Sequence, residues 1–193
     1  METGIIKAFP TPFLIEKIDS MVIDTPDFNS EHWKLDSVDN VIKYENQKLT
    51  DKIFELVSRF IQELGYVDQP LILNDMWFNK YDEKRPILEH HYHQNCAFTG
   101  TYYPEDANHN ITIFNPNAVL YQAHYPQRVE GDSGWNQDSI TLTANKGQLV
   151  ILPSYLGHEV WWNGKAPSKS ISFDIAYTGA IGDEEYGSYN DGQ

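Results

Sequence analysis

The stretch QLVILPSYLGHEVWW (Gln148 to Trp162) decides the fold. An aliphatic run meets Pro153, a short turn follows, and a second run opens at His158. Runs this short, separated by a Pro-led turn, fit strands better than helices. The same texture continues outward from them. Upstream, candidate strands cover 71–81, 88–93, 97–103, 111–114, 119–123 and 140–143; downstream of 148–152 and 158–162, one more covers 168–177. Turn signals divide them, such as Asn115-Pro116-Asn117, Gly131-Asp132-Ser133-Gly134, Asn145-Lys146-Gly147 and Asn163-Gly164. Many short strands at near-regular spacing predict a mainly β fold, a sandwich or a barrel.

One segment follows the other period. Over 51–64, Ile53, Leu56, Val57, Phe60, Ile61 and Leu64 recur at three- and four-residue steps, which is the apolar stripe of an amphipathic helix. Thr50 reads as its N-cap and Gly65 as the left-handed residue beyond its end. The stripe is expected to pack on the sheet from outside. Residues 5–18 read as two extended pieces hinged at Phe9-Pro10-Thr11-Pro12, and 24–46 as a loop, so 1–46 is an N-terminal set of extended segments and loop. The acidic, glycine-bearing 179–193 reads as a flexible tail. With no internal repeat and no linker, 1–193 is expected to form a single domain.

Composition narrows the classes of partner. The chain has 193 residues and a formal charge of −14, from 14 Lys plus Arg against 28 Asp plus Glu. No basic stripe is visible, so nucleic acid is not an expected partner. Hydrophobic residues make up 40% of the chain, enough for a core, which argues against wholesale disorder. The one cysteine, Cys96, cannot close an intrachain disulfide. No apolar run approaches the ~20 residues of a membrane span, and Met1-Glu2-Thr3-Gly4 carries an acid where a signal peptide has positive charge. A cytoplasmic location and no membrane partner are the expectations; oligomeric state is not legible.

The chemistry gathers at Glu89-His90-His91-Tyr92-His93. Alternation on a strand sends His91 and His93 to one face and His90 and Tyr92 to the other. Two imidazoles at i and i+2 supply two adjacent corners of a metal site, and His158, at a strand start, is the best-placed third ligand. Glu89 shares their face and offers a carboxylate. Alone, a His-x-His pair also suits a solvated strand surface, and Cys96 suits a small buried hydrophobe.

The stretch HHYHQNCAFTGTYY (His90 to Tyr103) resembles the His-x-His core of a family of 2-oxoglutarate- and Fe(II)-dependent oxygenases found in bacteria and marine tailed phages. AFPTPFLI (Ala8 to Ile15), Trp77-Phe78-Asn79, GQLVILPSYLGHEVWWN (Gly147 to Asn163) and SISFDI (Ser170 to Ile175) resemble further segments of that family, in order. SISFDI matches a closing Ser-Ile-Ser-Phe-Asn strand. The resemblance implies a double-stranded β-helix, a jelly roll of cupin type braced by one or two helices. It also implies Fe(II) held by His91, His93 and His158, with 2-oxoglutarate as cosubstrate, O2 as oxidant, and hydroxylation of a small-molecule or peptide substrate.

Two departures come with it. His93 stands where the family's usual site has Asp or Glu. A three-imidazole site, a site with His93 as first ligand and Asn95 in the acid position, and a site for another divalent ion all fit. About ten positions past the distal His, where an Arg pairs with the far carboxylate of 2-oxoglutarate, this chain has Ser168. Cosubstrate contacts are then expected from Asn79, Tyr103, Ser168 and Ser170. The alternative function is a catalytically altered jelly roll, metal-binding or metal-free, that serves as a binding or structural module, with Trp161-Trp162 as a stacking surface or as rim packing. The segment 115–145, with His124, Arg128 and Trp135, is expected to rim the pocket.

Overall fold

The computed structural model describes residues 11–18, 41–83, 86–105, 109–124, 137–162, 164 and 168–178. Ten strands and two helices follow in the order β1 (Leu14–Lys17), β2 (Val41–Lys43), α1 (Gln47–Glu63), β3 (Leu71–Tyr81), β4 (Ile87–His91), β5 (Phe98–Tyr102), β6 (His109–Phe114), α2 (Ala118–His124), β7 (Ser139–Ala144), β8 (Gln148–Pro153), β9 (His158–Trp162) and β10 (Ser168–Tyr177). The residues expected to form the Phe9–Pro10 part of the hinge, the loop 24–40, the rim 125–136 and the tail 179–193 lie outside this set.

A six-stranded sheet runs β1-β8-β5-β10-β3-β2 and a four-stranded sheet runs β4-β9-β6-β7, with antiparallel pairing throughout. Consecutive strands alternate between the two sheets along much of the chain, which is the winding of a double-stranded β-helix. Mainly β, jelly-roll architecture with bracing helices is the fold expected from the sequence.

Two cores follow from strand alternation. On one face of the larger sheet, Phe78, Phe98, Leu149, Ile151, Ile171, Phe173 and Ile175 pack against Leu49, Ile53, Leu56, Val57 and Phe60 of α1. Burying one such side chain stabilises by roughly 1.5–3 kcal/mol. On the other face, Tyr81, Tyr103, Val150 and Leu152 meet Ile111, Ile113, Val160 and Trp162 inside the barrel. Trp162 is therefore packing; Trp161 is 44% exposed.

Three local expectations need correction. Helix α1 begins at Gln47, a turn earlier than 51, because Asn46 is the N-cap and its side chain accepts from the Leu49 backbone N–H at 3.0 Å. Thr50 is buried inside the helix, and Leu49 extends the apolar stripe. At the other end Gly65, at φ 84°, closes the helix as expected, with Gly65 N–H on Gln62 O and Tyr66 N–H on Ile61 O. The segment 119–123 is helical, as part of α2. Asn115 turns the chain there by accepting from Asn117 N–H, and Val119 and Leu120 face solvent with no sheet to cover them. Within 24–46, Val41–Lys43 is a strand, β2, on the edge beside β3.

Candidate metal centre

β4 and β9 pair so that His91 lies opposite His158. The pairing shifts register between Leu88 and His91, and the strand ends at His91. His93 thus sits past the strand, held by its N–H on Ser154 O at 3.3 Å. Ser154 also ties down the following chain, with its N–H on Ala97 O and its hydroxyl on Cys96 O. At Gly157 a Cβ would stand 2.3 Å from His90 Nε2 and 2.9 Å from the Tyr92 ring. Only glycine lets the turn before His158 pass this close to the His-rich segment.

These elements bring His91, His93 and His158 together, each offering one ring nitrogen within 4.8 Å of the others. The rings of His93 and His158 lie parallel at 5.3 Å, and Trp77 stacks on His93 at 6.0 Å. Each Nδ1 faces an acceptor. His91 Nδ1 donates to Glu89 O at 2.6 Å and His158 Nδ1 to Leu156 O at 3.0 Å. His93 Nδ1 lies 2.8 Å from Asp174 Oδ1, an ion-pair distance at an angle short of a hydrogen bond, and no other donor reaches that oxygen. With the proton held on Nδ1 by these carbonyls, His91 and His158 turn Nε2 out as a lone pair, an arrangement that suits metal binding.

The electrostatics agree. Burial lowers the pKa of His158 to about 4; the Leu156 carbonyl resists that shift, and neighbouring His91 and His93 add to it. Burial lowers His91 as well, against its bond to the Glu89 carbonyl. Neutral imidazoles are the metal-binding form. Among the other candidates, Glu89 is exposed and outside the group, and its contribution is a backbone carbonyl. Asn95 is an exposed turn residue at φ 60°, its carbonyl held by the Asn74 side chain. Burial raises the pKa of the Cys96 thiol to about 11, helped by Asp174, so the thiol is held protonated.

Below the triad the barrel wall is polar. Trp77 Nε1 donates to Asn79 Oδ1 at 3.1 Å, Asn79 Nδ2 donates to Ser172 Oγ at 2.8 Å and Ser170 Oγ at 3.3 Å, and Thr101 meets Ser172 at 3.2 Å. The hydroxyls of Tyr81 and Ser170 are 3.4 Å apart. Asn79 and Ser170 are thus occupied by each other, and Ser168 is bonded to His109 Nε2 at 3.0 Å. Of the four expected cosubstrate contacts, Tyr103 alone keeps an unpartnered side-chain oxygen. Two neighbours carry no expected role. Alternation places Asp174 on the face of Ser168, Ser170 and Ser172, but not beside His93. His109 looked like loop beside Asn110, although it keeps the period-two spacing of Ile111 and Ile113.

The comparisons agree with this frame. Residues 75–174, just over half of the chain, match the family model described as "Putative 2OG-Fe(II) oxygenase". The chain belongs to that family. Among solved structures, the non-haem alpha-ketoglutarate-dependent carbocyclase SnoK from nogalamycin biosynthesis aligns with a TM-score of 0.51 at 10% identity, over 80% of this chain and 72% of that one. The epimerase SnoN from the same biosynthesis aligns with 0.45 at 15% identity, over 74% and 63%. A 2OG-Fe(II) oxygenase-family oxidoreductase from Burkholderia pseudomallei aligns with 0.43 at 11% identity, over 66% and 55%. This chain therefore spans less than two thirds of the length of SnoN and of the Burkholderia protein. At these identities the likeness concerns the fold alone. No curated protein matches the sequence. Among the described residues no helix is long and apolar enough to cross a membrane.

Proposed function

We propose that this family member is a metal-binding, catalytically altered jelly roll that holds one divalent transition-metal ion through Nε2 of His91, His93 and His158. The observation that supports it is the grouping of the three rings, with Nδ1 of His91 and His158 committed to backbone carbonyls and Nδ1 of His93 set against the Asp174 carboxylate, which leaves each Nε2 for an ion. Imidazole suits Fe(II), Zn, Cu and Ni alike, and family membership favours Fe(II). When bound, such an ion supplies a Lewis-acid centre with open positions for small ligands. The chain's own groups fix the rings: the Glu89 and Leu156 carbonyls set two tautomers, and His93 is held between the Asp174 carboxylate and the stacked Trp77. The altered reading rests on His93 in the carboxylate position and Ser168 in the Arg position.

One observation favours a second reading, an Fe(II)- and 2-oxoglutarate-dependent oxygenase that hydroxylates a small molecule or peptide with O2. Asp174 places a carboxylate against His93, just outside the ligand set, and so restores the negative charge that a carboxylate ligand would bring. Metal analysis of protein purified without chelators tests the shared part. About one ion per chain, lost in His158→Ala, is expected; a metal-free wild type that also fails to take up Fe(II) contradicts both readings. Succinate release from 2-oxoglutarate by the anaerobically loaded protein, absent in His158→Ala, would select the oxygenase.

A further inference from the structure

Across the four-stranded sheet the register places His91 opposite His158, His158 opposite Ile113, and Ile113 opposite Ile140. Residues directly opposite one another project to the same face, so these four form one row on the inner side of β4, β9, β6 and β7. Neighbouring strands lie about 4.8 Å apart, which puts Ile113 one spacing and Ile140 two spacings from His158, roughly 5 and 10 Å at the backbone. One half of the row carries two of the proposed metal ligands, and the other half carries hydrocarbon only.

At that second half lies a cavity of about 130 Å³, walled by Phe13, Ile113, Phe114, Pro116 and Ile140. Phe13 packs on the barrel core, Ile113 is buried, and Ile140, 38% exposed on the edge strand β7, stands at the entrance. Among the described residues the polar part of the lining is uncharged. The Asn115 amide on the wall is already committed, with Nδ2 donating to Gln137 O and Oδ1 accepting from Asn117 N–H, each at 2.9 Å. A charged group entering here would lose its hydration without gaining an ion-pair partner, so the cavity selects for hydrocarbon. Its size sets the limit, since an apolar cavity of roughly 150 Å³ takes one benzene.

Phe114 ties the cavity to the metal site a second way. Its N–H donates to Gly157 O at 2.9 Å, which fastens the turn that carries His158 to the cavity wall. Its ring meets that of His90, the neighbour of His91, at 4.4 Å.

We infer that this cavity seats a compact uncharged hydrocarbon group, a branched aliphatic chain or a single aromatic ring, of a small ligand whose other end reaches the ion at His158. The inference deepens the proposed function, on which its second half rests; the cavity and its chemistry stand without the metal. Ile113 and Ile140 are then the residues that set ligand choice, by the size and apolarity of one arm.

The test uses two hydroxamates with the same chelating end, acetohydroxamate and phenylacetohydroxamate, the second carrying a phenyl ring on the methyl carbon. The one-carbon spacer suits the single strand spacing between His158 and the wall at Ile113. Dissociation constants are measured on Zn(II)-loaded full-length protein, with metal content determined in every variant. Wild type is expected to bind phenylacetohydroxamate at least tenfold more tightly than acetohydroxamate. Ile140→Asn makes the entrance polar and Ile140→Trp fills it. Both should bring the ratio near one, while metal content and acetohydroxamate affinity stay at wild-type values and show that the barrel is intact. A wild-type ratio below tenfold, or a tenfold ratio that survives in either variant, overturns the inference. If the chain takes up no metal, the proposed function fails, and benzene added to the metal-free protein decides the cavity. With labelled isoleucine methyl groups, benzene should shift Ile113 and Ile140 in wild type and leave Ile113 unmoved in Ile140→Trp. Equal shifts of Ile113 in the two proteins, or none in either, reject the hydrocarbon seat.

Discussion

On one side of the larger sheet β10 presents Ile171, Phe173 and Ile175 to helix α1; on the other, the same strand presents Ser168, Ser170, Ser172 and Asp174 to the barrel interior. One strand therefore serves two different tasks at a spacing of two residues. The helix side is nearly all hydrocarbon, with Gly100 so close to Phe173 that a Cβ would stand 2.4 Å from its ring. The barrel side accepts the cost of buried polar groups, linking most of them into a ladder and leaving a few unpaired. Stability is concentrated on the first face and ligand chemistry on the second, and substitutions on the two faces should divide accordingly.

Among single substitutions the largest effect is expected from Phe173→Ala. No side chain at Gly100 can fill the space, so the loss should be about 3–5 kcal/mol by chemical denaturation, while metal stoichiometry of the folded protein stays that of wild type. A variant that folds as well as wild type but loses metal would merge the two faces and break the comparison.

Acid should act through the barrel side. His109 and His158 have pKa values lowered from 6.5 to about 4 by burial, and His91 moves the same way. The unfolded chain takes up protons below about 6.5 that these folded rings refuse. Their contribution is thus fully present above pH 6.5 and is lost as pH falls toward 4, on the order of 3 kcal/mol each for His109 and His158. Denaturant midpoints measured from pH 7.5 to 4.5 should fall steadily; a flat profile would mean that these rings are not buried as described.

Next in size is Asp174→Asn, which keeps the shape and removes the charge beside His93. Metal affinity should drop roughly 10- to 100-fold with the apolar core intact, as read by competition with a chromophoric chelator. The smallest effect is expected from Ser172→Ala, which takes from Asn79 its shorter partner and from Thr101 a neighbour. About 1–2 kcal/mol of stability should go, with metal affinity unchanged.

The helix side was legible in the sequence because it is repetitive. The stripe from Ile53 to Ile61 and the alternation along β10 each specify a buried face without reference to anything distant, whereas Leu64, expected to end the stripe, lies past the helix and is exposed. Only the start of α1 was misplaced, because a local cap at Asn46 competes with Thr50 on equal compositional terms. The segment 119–123 was misread for a related reason: a short apolar run does not say whether a sheet edge is there to receive it. On the barrel side, His91, His93 and His158 were found by spacing together with the family resemblance. Alternation gives the face of Asp174, but its place beside His93 and that of His109 beside Ser168 depend on the register of strands far apart in sequence.

The proposed function has three imidazoles, His93 among them, hold one ion. Anaerobic titration of Fe(II) into wild type, His93→Ala and His93→Asp tests it most directly. One ion per chain is expected in wild type, with retained stoichiometry in His93→Asp, whose carboxylate can replace the ring as ligand, and an affinity loss on the order of a few kcal/mol in His93→Ala. Equal binding by all three proteins would remove His93 from the site and overturn the three-histidine assignment.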